Sequence, residues 1–433
     1  MARQMKSSGI EWIGDIPAHW QVIPHKYVMH KEKSICENYN GEDIISLTMN
    51  GVIVRDLTAG GKMPTTFDGY QYVEPEDLLL CLFDIDVTPR CVGIVRNYGV
   101  TSPAYSRFKV HNGYYNAYYD YLLRFIDDEK VFIHLSKNLR SSLTETDFGA
   151  IKTIVPPLDE QKRIAEFLDR QCSEIEAVIA KTKATIEEYK KLRKSIITEA
   201  VTKGIRGDRP MKDSGIEWIG EIPSEWDCLK AKYLFQEGDG SLKIGPFGSA
   251  LNGKTLAEGT YKIYNQAHLV SNDFSLSRHF VSESTFEELK SYEVKAGDVL
   301  FSMMGTIGKC RIMPSGYCKG IMDSHLLKAR LNELIDVDYF VYVYDKDNSS
   351  IGIGQLNYFS NGSIMSGLNS TIVKNIYIPL PPKEEQKEIV EYLKIKCSEI
   401  DKLISSKTTL LEEMETYKKS VIYDYTTGKK EVL

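Results

Sequence analysis

Two stretches of the chain carry apolar side chains at steps of three, four and seven residues, the spacing of one face of an α-helix. The first stretch runs from beyond Pro157 to about Val201 without proline or glycine, and it ends in the segment TKGIRGDRP. Its apolar positions are Ile164, Leu168, Ile175, Ile179, Ile186, Tyr189, Leu192 and Ile196. The corresponding positions of the second stretch are Ile389, Leu393, Ile400, Ile404, Leu411, Met414, Tyr417 and Val421. The pattern predicts two long helices with matched apolar stripes.

The chain is an internal duplication. MKSSGIEWIGDIPAHW, from Met5 to Trp20, returns as MKDSGIEWIGEIPSEW, from Met211 to Trp226, with twelve of sixteen residues identical. PPLDEQKRIAEFLDRQCSEI opens the first helix and PPKEEQKEIVEYLKIKCSEI the second, with twelve of twenty identical. The sequence between these matched ends has diverged. The repeat predicts six segments: a lead 1–20, an insert 21–155, a helix 156–203, a linker and second lead 204–226, an insert 227–380 and a second helix 381–427.

The matched stripes indicate that the two helices pack on each other. Because the halves are homologous, a pseudo-two-fold axis perpendicular to the pair is the simplest arrangement, and it makes the helices antiparallel. We therefore predict a coiled coil packed through Ile164, Leu168, Ile175, Ile179, Ile186, Tyr189, Ile389, Leu393, Ile400, Ile404, Leu411 and Met414. The alternative is that each stripe packs on its own globular domain for most of its length.

The inserts are predicted to be α/β (α+β) domains. Short β-rich runs lie at 77–83, 298–303 and 371–378, separated by glycine-rich turns. VEPEDLLL in the first insert parallels VKAGDVLF in the second, which predicts a shared fold. The repeated Trp12/Trp20 and Trp218/Trp226 pairs are assigned to scaffold packing.

Composition limits the function classes. No apolar run approaches the roughly 20 residues that cross a bilayer, and the start of the chain has no signal-peptide pattern, so we expect a cytoplasmic protein. The eight cysteines form no CxxC pair, so no zinc ribbon or thioredoxin-like motif is predicted. The net charge of −6 is unusual for a protein that binds nucleic acid, because phosphate contacts need a basic surface.

The doubled SGIEWIGxIPxxW lead, the doubled PPxxEQ that opens a long helix, and GPFGS at 245–249 resemble the specificity subunit of type I restriction-modification enzymes. The resemblance covers essentially the whole chain. It implies that each insert is a target recognition domain for one half of a split DNA site, that the coiled coil spaces the two domains, and that the subunit itself is not catalytic. It also implies a prokaryotic source and two kinds of protein partner: two methyltransferase subunits that use S-adenosylmethionine, and restriction subunits that use ATP and Mg²⁺.

The methyltransferase and nuclease motifs of such partners are missing here. An Asn/Asp-Pro-Pro-aromatic loop would hold a flipped adenine, and the nearest match is SPAY at 102–105. No Pro-Asp dipeptide of a carboxylate nuclease occurs. No cofactor or metal site is therefore expected in this chain. The alternatives are a single-chain modification enzyme, which the missing motifs oppose, and a protein-only scaffold, which the acidic charge favours.

Candidate DNA contacts are polar side chains in turns beside the predicted strands, since base edges are read by such groups. In the first insert the candidates are Thr88, Arg90, Ser102, Tyr105 and Arg107. In the second insert they are Lys243, Ser249, Asn265, Gln266, Lys309, Ser324 and His325. For each of them, surface solvation or turn formation is the alternative.

Overall fold

The computed structural model describes residues 3–49, 51–58, 64–88, 90–136, 141–238, 240–246, 248–276, 279–359 and 368–432. The chain forms two compact units. The first unit contains Met1–Lys183 and Thr409–Leu433, and the second contains Ala184–Thr408. Each unit thus holds one insert, called here the first head (21–155) and the second head (227–380), together with part of each long helix. The sequence predicted the helices as separate segments, whereas the compact units divide both.

The elements up to the first long helix alternate short strands with helices. The strands are β1 Met5–Ser7, β2 Asp15–Pro17, β3 Gln21–Pro24, β4 Met29–Lys31, β5 Ile44–Thr48, β6 Gly51–Val54, β7 Gln71–Val73, β8 Leu78–Leu80, β9 Val92–Ile94, β10 Gly99–Thr101, β11 Ser106–Val110 and β12 Lys152–Val155. The helices are α1 Asn116–Asp128, α2 Val131–Leu135, α3 Glu145–Ala150 and α4 Leu158–Lys203.

The second half repeats this plan with changes. Its strands are β13 Met211–Asp213, β14 Glu221–Pro223, β15 Asp227–Lys230, β16 Leu242–Ile244, β17 Tyr261–Tyr264, β18 Phe280–Val281, β19 Val299–Ser302, β20 Cys310–Ile312, β21 Gly320–Met322, β22 Leu326–Ala329 and β23 Tyr377–Leu380. Its helices are α5 Gln266–Ser271, α6 Glu283–Glu288, α7 Val337–Tyr344, α8 Ser350–Phe359, α9 Ser370–Asn375 and α10 Lys383–Thr426.

The two heads share one antiparallel sheet order and one parallel strand pair, as the parallel sequence fragments predict, but the mixed sheet has four strands in the first head and three in the described part of the second. An antiparallel sheet has the order β4-β11-β8-β9 in the first head and β16-β22-β19-β20 in the second. A mixed sheet is built around a parallel pair, β5 with β10 or β17 with β21. The heads differ after the first strand of that pair: β5 turns back into β6, whereas β17 leads into α5. The α/β prediction is confirmed. The two heads carry different elements directly after the first strand of the parallel pair.

One predicted strand is wrong. Residues 371–375 lie in helix α9, and only Tyr377–Leu380 is extended, as β23. The Asn369 side chain caps the helix by accepting a hydrogen bond from the Ile372 N–H at 2.9 Å. This local cap outweighs the β-propensity of Ile372 and Val373.

The long helices run antiparallel within each unit, as predicted. In successive ion pairs between the two helices, the residue number rises along α4 while it falls along α10. They are Glu176 with Lys418 and Lys183 with Glu415 in the first unit, and Arg193 with Asp401 and Arg206 with Glu388 in the second.

The apolar stripes serve two purposes along their length. Ile164 and Leu168 belong to the core of the first unit, and Ile389 and Leu393 to the core of the second, so the opening turns pack on a head, as the alternative interpretation held. Further along, Ile175, Ile186 and Ile400 are buried, and Ile179, Tyr189, Ile404, Leu411 and Met414 are half-buried. Leu192 and Tyr417 were predicted in the stripes but are about half exposed.

A repeated polar cluster explains the charged residue that opens each helix. The indole N–H of Trp20 donates to Glu160 at 3.0 Å, and Arg3 pairs with the same carboxylate. In the second unit, the Trp226 indole donates to Glu385 at 3.0 Å and Arg209 pairs with Glu385 at 2.7 Å. Both tryptophans are completely buried. These two Arg-Trp-Glu clusters fix each lead segment to the first turn of its helix, and Arg3 and Arg209 lie just outside the repeat noted in the sequence.

The neighbouring glutamines tie the helix start to the head. The Gln161 amide donates to the Pro156 carbonyl at 2.8 Å and accepts from the Tyr115 N–H at 2.8 Å. Gln386 makes the same two bonds, to the Pro381 carbonyl at 2.9 Å and from the Asp336 N–H at 2.6 Å. The repeated Glu-Gln pair is therefore structural.

The end of α10 completes the first unit. Val421 and Ile422 join the core cluster that contains Trp20, and the Tyr118 hydroxyl donates to the Thr426 carbonyl at 2.8 Å. Gly428 follows with φ of +72°, and a Cβ there would lie 2.6 Å from the Pro17 ring. A side chain at this position would meet both an unfavourable backbone conformation and a filled space.

Candidate nucleic-acid interface

In the second head, three loops converge at one edge of the sheets. Strands β17 and β21 are parallel, so their carboxyl ends lie at the same edge. The loop after β19 is joined to the loop after β21, because the Met303 N–H donates to the His325 carbonyl at 3.0 Å. Loops that a rigid sheet presents together form the usual kind of binding surface.

Gln266, a sequence candidate, connects these loops. Its amide nitrogen lies 2.5 Å from the Ser302 hydroxyl and also donates to the Met304 carbonyl. Asn265 caps helix α5, accepting from the Ala267 N–H at 3.0 Å. The amide groups of both residues thus have local partners, and these bonds hold the loops in place.

The GPFGS motif begins at the same edge. The Gly245 N–H donates to the Leu326 carbonyl at 2.9 Å, and a Cβ on Gly245 would lie 1.7 Å from the Asp323 carbonyl oxygen. Only glycine allows this approach between the end of β16 and the loop after β21. Ser249 lies in a short 3-10 turn, Gly248–Leu251, but its side chain is outside the described residues.

His325 is the most exposed described candidate of the second head, with about half of its side chain accessible. Its N–H donates to the Asp323 carboxylate at 2.9 Å, and its ring Nδ1 lies 3.4 Å from the same group. Burial raises the pKa of Asp323 above its ordinary value. Ser324, beside it, is half-buried. This turn offers a hydroxyl and an imidazole, both of which can bond to a base edge.

Lys309 and Lys243 have different surroundings. The Lys309 ammonium lies 3.1 Å from Asp347, at the end of the loop after β19. The Lys243 ammonium lies 4.4 Å from the centre of the Tyr292 ring, a cation–π contact on β16. The structure therefore joins Lys309, but not Lys243, to the loop group by direct contacts.

In the first head, the corresponding loops follow β8 and β10. The Thr88 hydroxyl donates to the Asp84 carbonyl at 2.8 Å, and Arg90 pairs with Asp128 at 3.2 Å. The carbonyls of Ser102 and Tyr105 accept from the Gln71 amide at 3.1 and 2.6 Å. Gln71, which sequence reasoning missed, is buried in β7 and holds the loop after β10, and nothing in its sequence context marks it out.

The predicted location of Arg107 is wrong. This residue was predicted in a polar surface turn, but it lies inside strand β11 and is 2 % exposed. Its guanidinium is 2.5 Å from Asp77 and 3.1 Å from Glu74, and it donates to the Tyr72 carbonyl at 3.1 Å. All of these partners compete with a base edge, so Arg107 is a buried structural residue of the sheet.

The same interior position of the second head carries Lys328. It lies across from Leu300 in β19, as Arg107 lies across from Leu79 in β8. The Lys328 ammonium donates to the Glu293 carbonyl, and burial lowers its pKa to about 8. Arg330, two residues on, pairs with Asp298 at 2.8 Å. A basic side chain in this strand is thus a feature of both heads.

No group of three or more metal-binding side chains was found among the described residues. In the described part of the chain, no helix is both long enough and apolar enough to span a membrane. The eight cysteines are all free thiols.

Comparison with known proteins gives a consistent picture. The family model of the type I restriction modification DNA specificity domain matches residues 244–416. A putative type I restriction enzyme MjaX specificity subunit of Methanocaldococcus jannaschii is 26 % identical over 71 % of this chain and 67 % of its own length. The type I restriction enzyme MjaVIII specificity subunit of the same organism is 29 % identical over 65 % of this chain and 63 % of its own length.

One solved structure shares the fold over nearly the full length. It is a chain from a study of complex assembly and conformational transition of the type I R-M system, with a TM-score of 0.67 and 15 % identity. The alignment covers 95 % of this chain and 98 % of that one. The repeated frame, the paired heads and these comparisons agree: the chain is similar to type I restriction enzyme specificity subunits, and residues 244–416 match the DNA specificity domain.

Proposed function

We propose that this chain is the DNA-reading subunit of a type I restriction-modification complex, in which each head reads one half of a bipartite site. The observation that carries the proposal is the pair of heads with one fold and different loops at the same edge. The first head places a hairpin there and the second a helix, α5. Two domains that share a fold but differ in their loops are suited to bind two different half-sites.

The helices are proposed to set the gap between the half-sites and to dock two methyltransferase subunits. α4 has 46 residues and α10 has 44, which corresponds to roughly 65–70 Å at the standard helical rise. Adenine methylation with S-adenosylmethionine, and ATP- and Mg²⁺-dependent translocation and cleavage, are assigned to the methyltransferase and restriction subunits. The subunit itself is proposed to be non-catalytic and to act in the prokaryotic cytoplasm.

The proposed contact residues are Thr88, Arg90, Ser102 and Tyr105 in the first head and Lys243, Ser249, Asn265, Gln266, Lys309, Ser324 and His325 in the second. Arg107 is left out because its side chain is enclosed. Of the rest, the turn at Ser324 and His325 is the favoured base-reading element, since His325 is exposed and the turn is anchored by Gly245 and Asp323.

A head exchange tests the proposal. Residues 21–155 are replaced with the insert of a related subunit, and the methylated adenines of a host that carries the assembled complex are then sequenced. One half of the split motif should change and the other should stay, because each head has its own sheets and core. If both halves change together, the heads do not read independently.

A second measurement separates the proposal from its rivals. The purified chain is incubated with DNA and labelled S-adenosylmethionine, and no methyl transfer is expected until methyltransferase subunits are added. Transfer by the chain alone would show a single-chain modification enzyme. A protein-only scaffold would leave the assembled complex without a defined footprint on DNA.

A further inference from the structure

A basic cleft in the second unit carries lysines that the fold described above does not use. It has a volume of about 600 Å³ and lies between the middle of α4, the loop after α7 and α10. Six basic side chains line it, against two carboxylates: Lys190, Lys191, Arg193, Lys194, Arg311 and Lys346 against Asp347 and Asp401.

The carboxylates of this basic cleft are already neutralised. Asp401 pairs with Arg193 at 3.1 Å, and Asp347 lies 3.1 Å from Lys309 and 3.7 Å from Arg311. Arg193 also anchors the cleft, since it donates to the Asn348 side chain at 3.0 Å. The carboxylates therefore cannot balance the remaining positive charge.

Three ammonium groups remain without a carboxylate partner among the described residues: Lys191, Lys194 and Lys346. Lys194 donates to the Lys346 carbonyl at 3.1 Å, which holds the two residues together. Like charges gathered in this way repel one another, and the arrangement gains energy when an anion binds.

The scaffold does not require these charges. By the helix repeat, Lys190, Lys191 and Lys194 correspond to Glu415, Thr416 and Lys419 in the first unit. The same helix packing is therefore compatible with one acidic and one neutral residue at these positions, and the excess charge is specific to the second unit.

The basic cleft is continuous with the candidate interface of the second head. The Lys346 N–H donates to the Gly308 carbonyl at 2.9 Å, and Gly308 precedes Lys309 in the loop after β19. Lys309 in turn shares Asp347 with the lining residue Arg311. An anion that follows the surface from the base-reading loops therefore reaches the basic cleft.

We propose that the basic cleft binds the phosphodiester backbone of duplex DNA, outside the bases that the second head reads, and so supplies sequence-independent affinity. The proposal rests on the function proposed above. It would also explain how an acidic chain binds DNA, because a small group of uncompensated lysines releases counterions even where the net charge is negative.

The test compares two triple variants of the chain assembled with its methyltransferase subunits. K191Q/K194Q/K346Q removes the unpaired ammonium groups, and K387Q/K396Q/K402Q makes the same charge change on α10, at residues that do not line the basic cleft. Binding to a duplex with the methylated site and to an unrelated duplex is measured over a series of salt concentrations.

The cleft variant should lower the slope of log affinity against log salt by about 0.9 for each phosphate that is no longer neutralised, or roughly two to three in total, on both duplexes. The control should keep the wild-type slope. Equal slopes for the two variants would overturn the proposal. So would failure of the cleft variant to assemble, because the basic cleft would then hold a protein partner. If the wild-type complex prefers neither duplex, the proposed function fails, whatever the slopes.

Discussion

Glu385 shows how a charged residue can be part of a core. It is 2 % exposed, and it accepts from the Trp226 indole while pairing with Arg209. Glu388, one turn further along the same helix, forms a bidentate pair with Arg206, but about half of each side chain is exposed. The two pairs look alike in sequence and differ in burial, so their contributions to stability should differ.

Glu385→Ala should lower the free energy of unfolding by about 3 kcal/mol, since it leaves a buried indole N–H without a partner and removes the buried one of the two carboxylates that pair with Arg209. Glu388→Ala should cost less than about 1 kcal/mol, because its pair is screened by solvent. Urea unfolding followed by tryptophan fluorescence measures both. Equal losses would mean that the cluster does not hold the lead segment.

His25 predicts a pH dependence of the first unit. The ring is completely buried, stacks on Phe148 and bonds to the Ile151 carbonyl at 3.0 Å. Burial lowers its pKa from 6.5 to about 4, against the opposing effect of that carbonyl. Because the unfolded chain takes up the proton more readily, stability should fall as pH drops from about 6.5 to 4, at up to roughly 1.4 kcal/mol per pH unit.

The second head supplies the control for this prediction. Its residue at the position of His25 is Ala231, whose N–H donates to the Ile376 carbonyl as that of His25 donates to Ile151. His25→Ala should be less stable at every pH because of the cavity it leaves. It should nevertheless lose the part of the acid dependence that falls between pH 6.5 and 4. An unchanged acid slope would exclude His25 as its source.

At the scale of elements, periodicity predicted the helix ends, which depend on local sequence, but it missed the burial of side chains, which depends on tertiary neighbours. Both long helices were placed within a few residues of their observed ends, because 3.6-residue spacing and the lack of breakers decide them. Leu192 and Tyr417 fit the same period but are exposed, since a stripe does not reveal where its partner surface stops. Arg107 was misplaced for a related reason: its ion-pair partners, Glu74 and Asp77, lie in another part of the head and not beside it in the sequence.

The length of the two long helices is also expected to set the gap between the DNA half-sites. Adding one heptad to each, after Glu187 and after Glu412, keeps the apolar register and lengthens the pair by roughly 10 Å, or about three base pairs of duplex. The half-sites should stay the same while the gap between them widens, as sequencing of methylated sites would reveal.

A four-residue insertion at the same positions is the control. It rotates the apolar stripe out of register, so it should reduce the folded yield more than the heptad does. A folded and active heptad variant with the original gap would show that the helices do not set the spacing.

At the scale of the whole molecule, charge is the property that most affects binding. The chain carries 54 basic and 60 acidic residues, and the unpaired lysines described above are concentrated in the second unit. We expect the chain alone to bind DNA weakly, and the complex with methyltransferase subunits to bind it strongly, because few phosphate contacts are available to one subunit. Titration of both forms at one salt concentration measures this, and equal affinities would contradict it.

The candidate site was less predictable than the fold. The turns around Thr88, Ser102, Lys309 and His325 could be found because polar residues beside β-rich runs mark loops. The bonds that Gln71 and Gln266 make to the loops after β10 and β19 join residues 31 to 38 positions apart. Such contacts depend on tertiary packing, which a single sequence does not display.

The division of the second helix also has a consequence for synthesis. The second unit consists of continuous residues 184–408, so all of it has been made before the ribosome reaches Thr409. The first unit needs Val421, Ile422 and Thr426 to complete its core, and these are made after the whole of the second unit. Domains generally fold in the order in which they emerge, but here the unit that emerges first should finish last. A chain released early would therefore carry a complete second head and an unfinished first one.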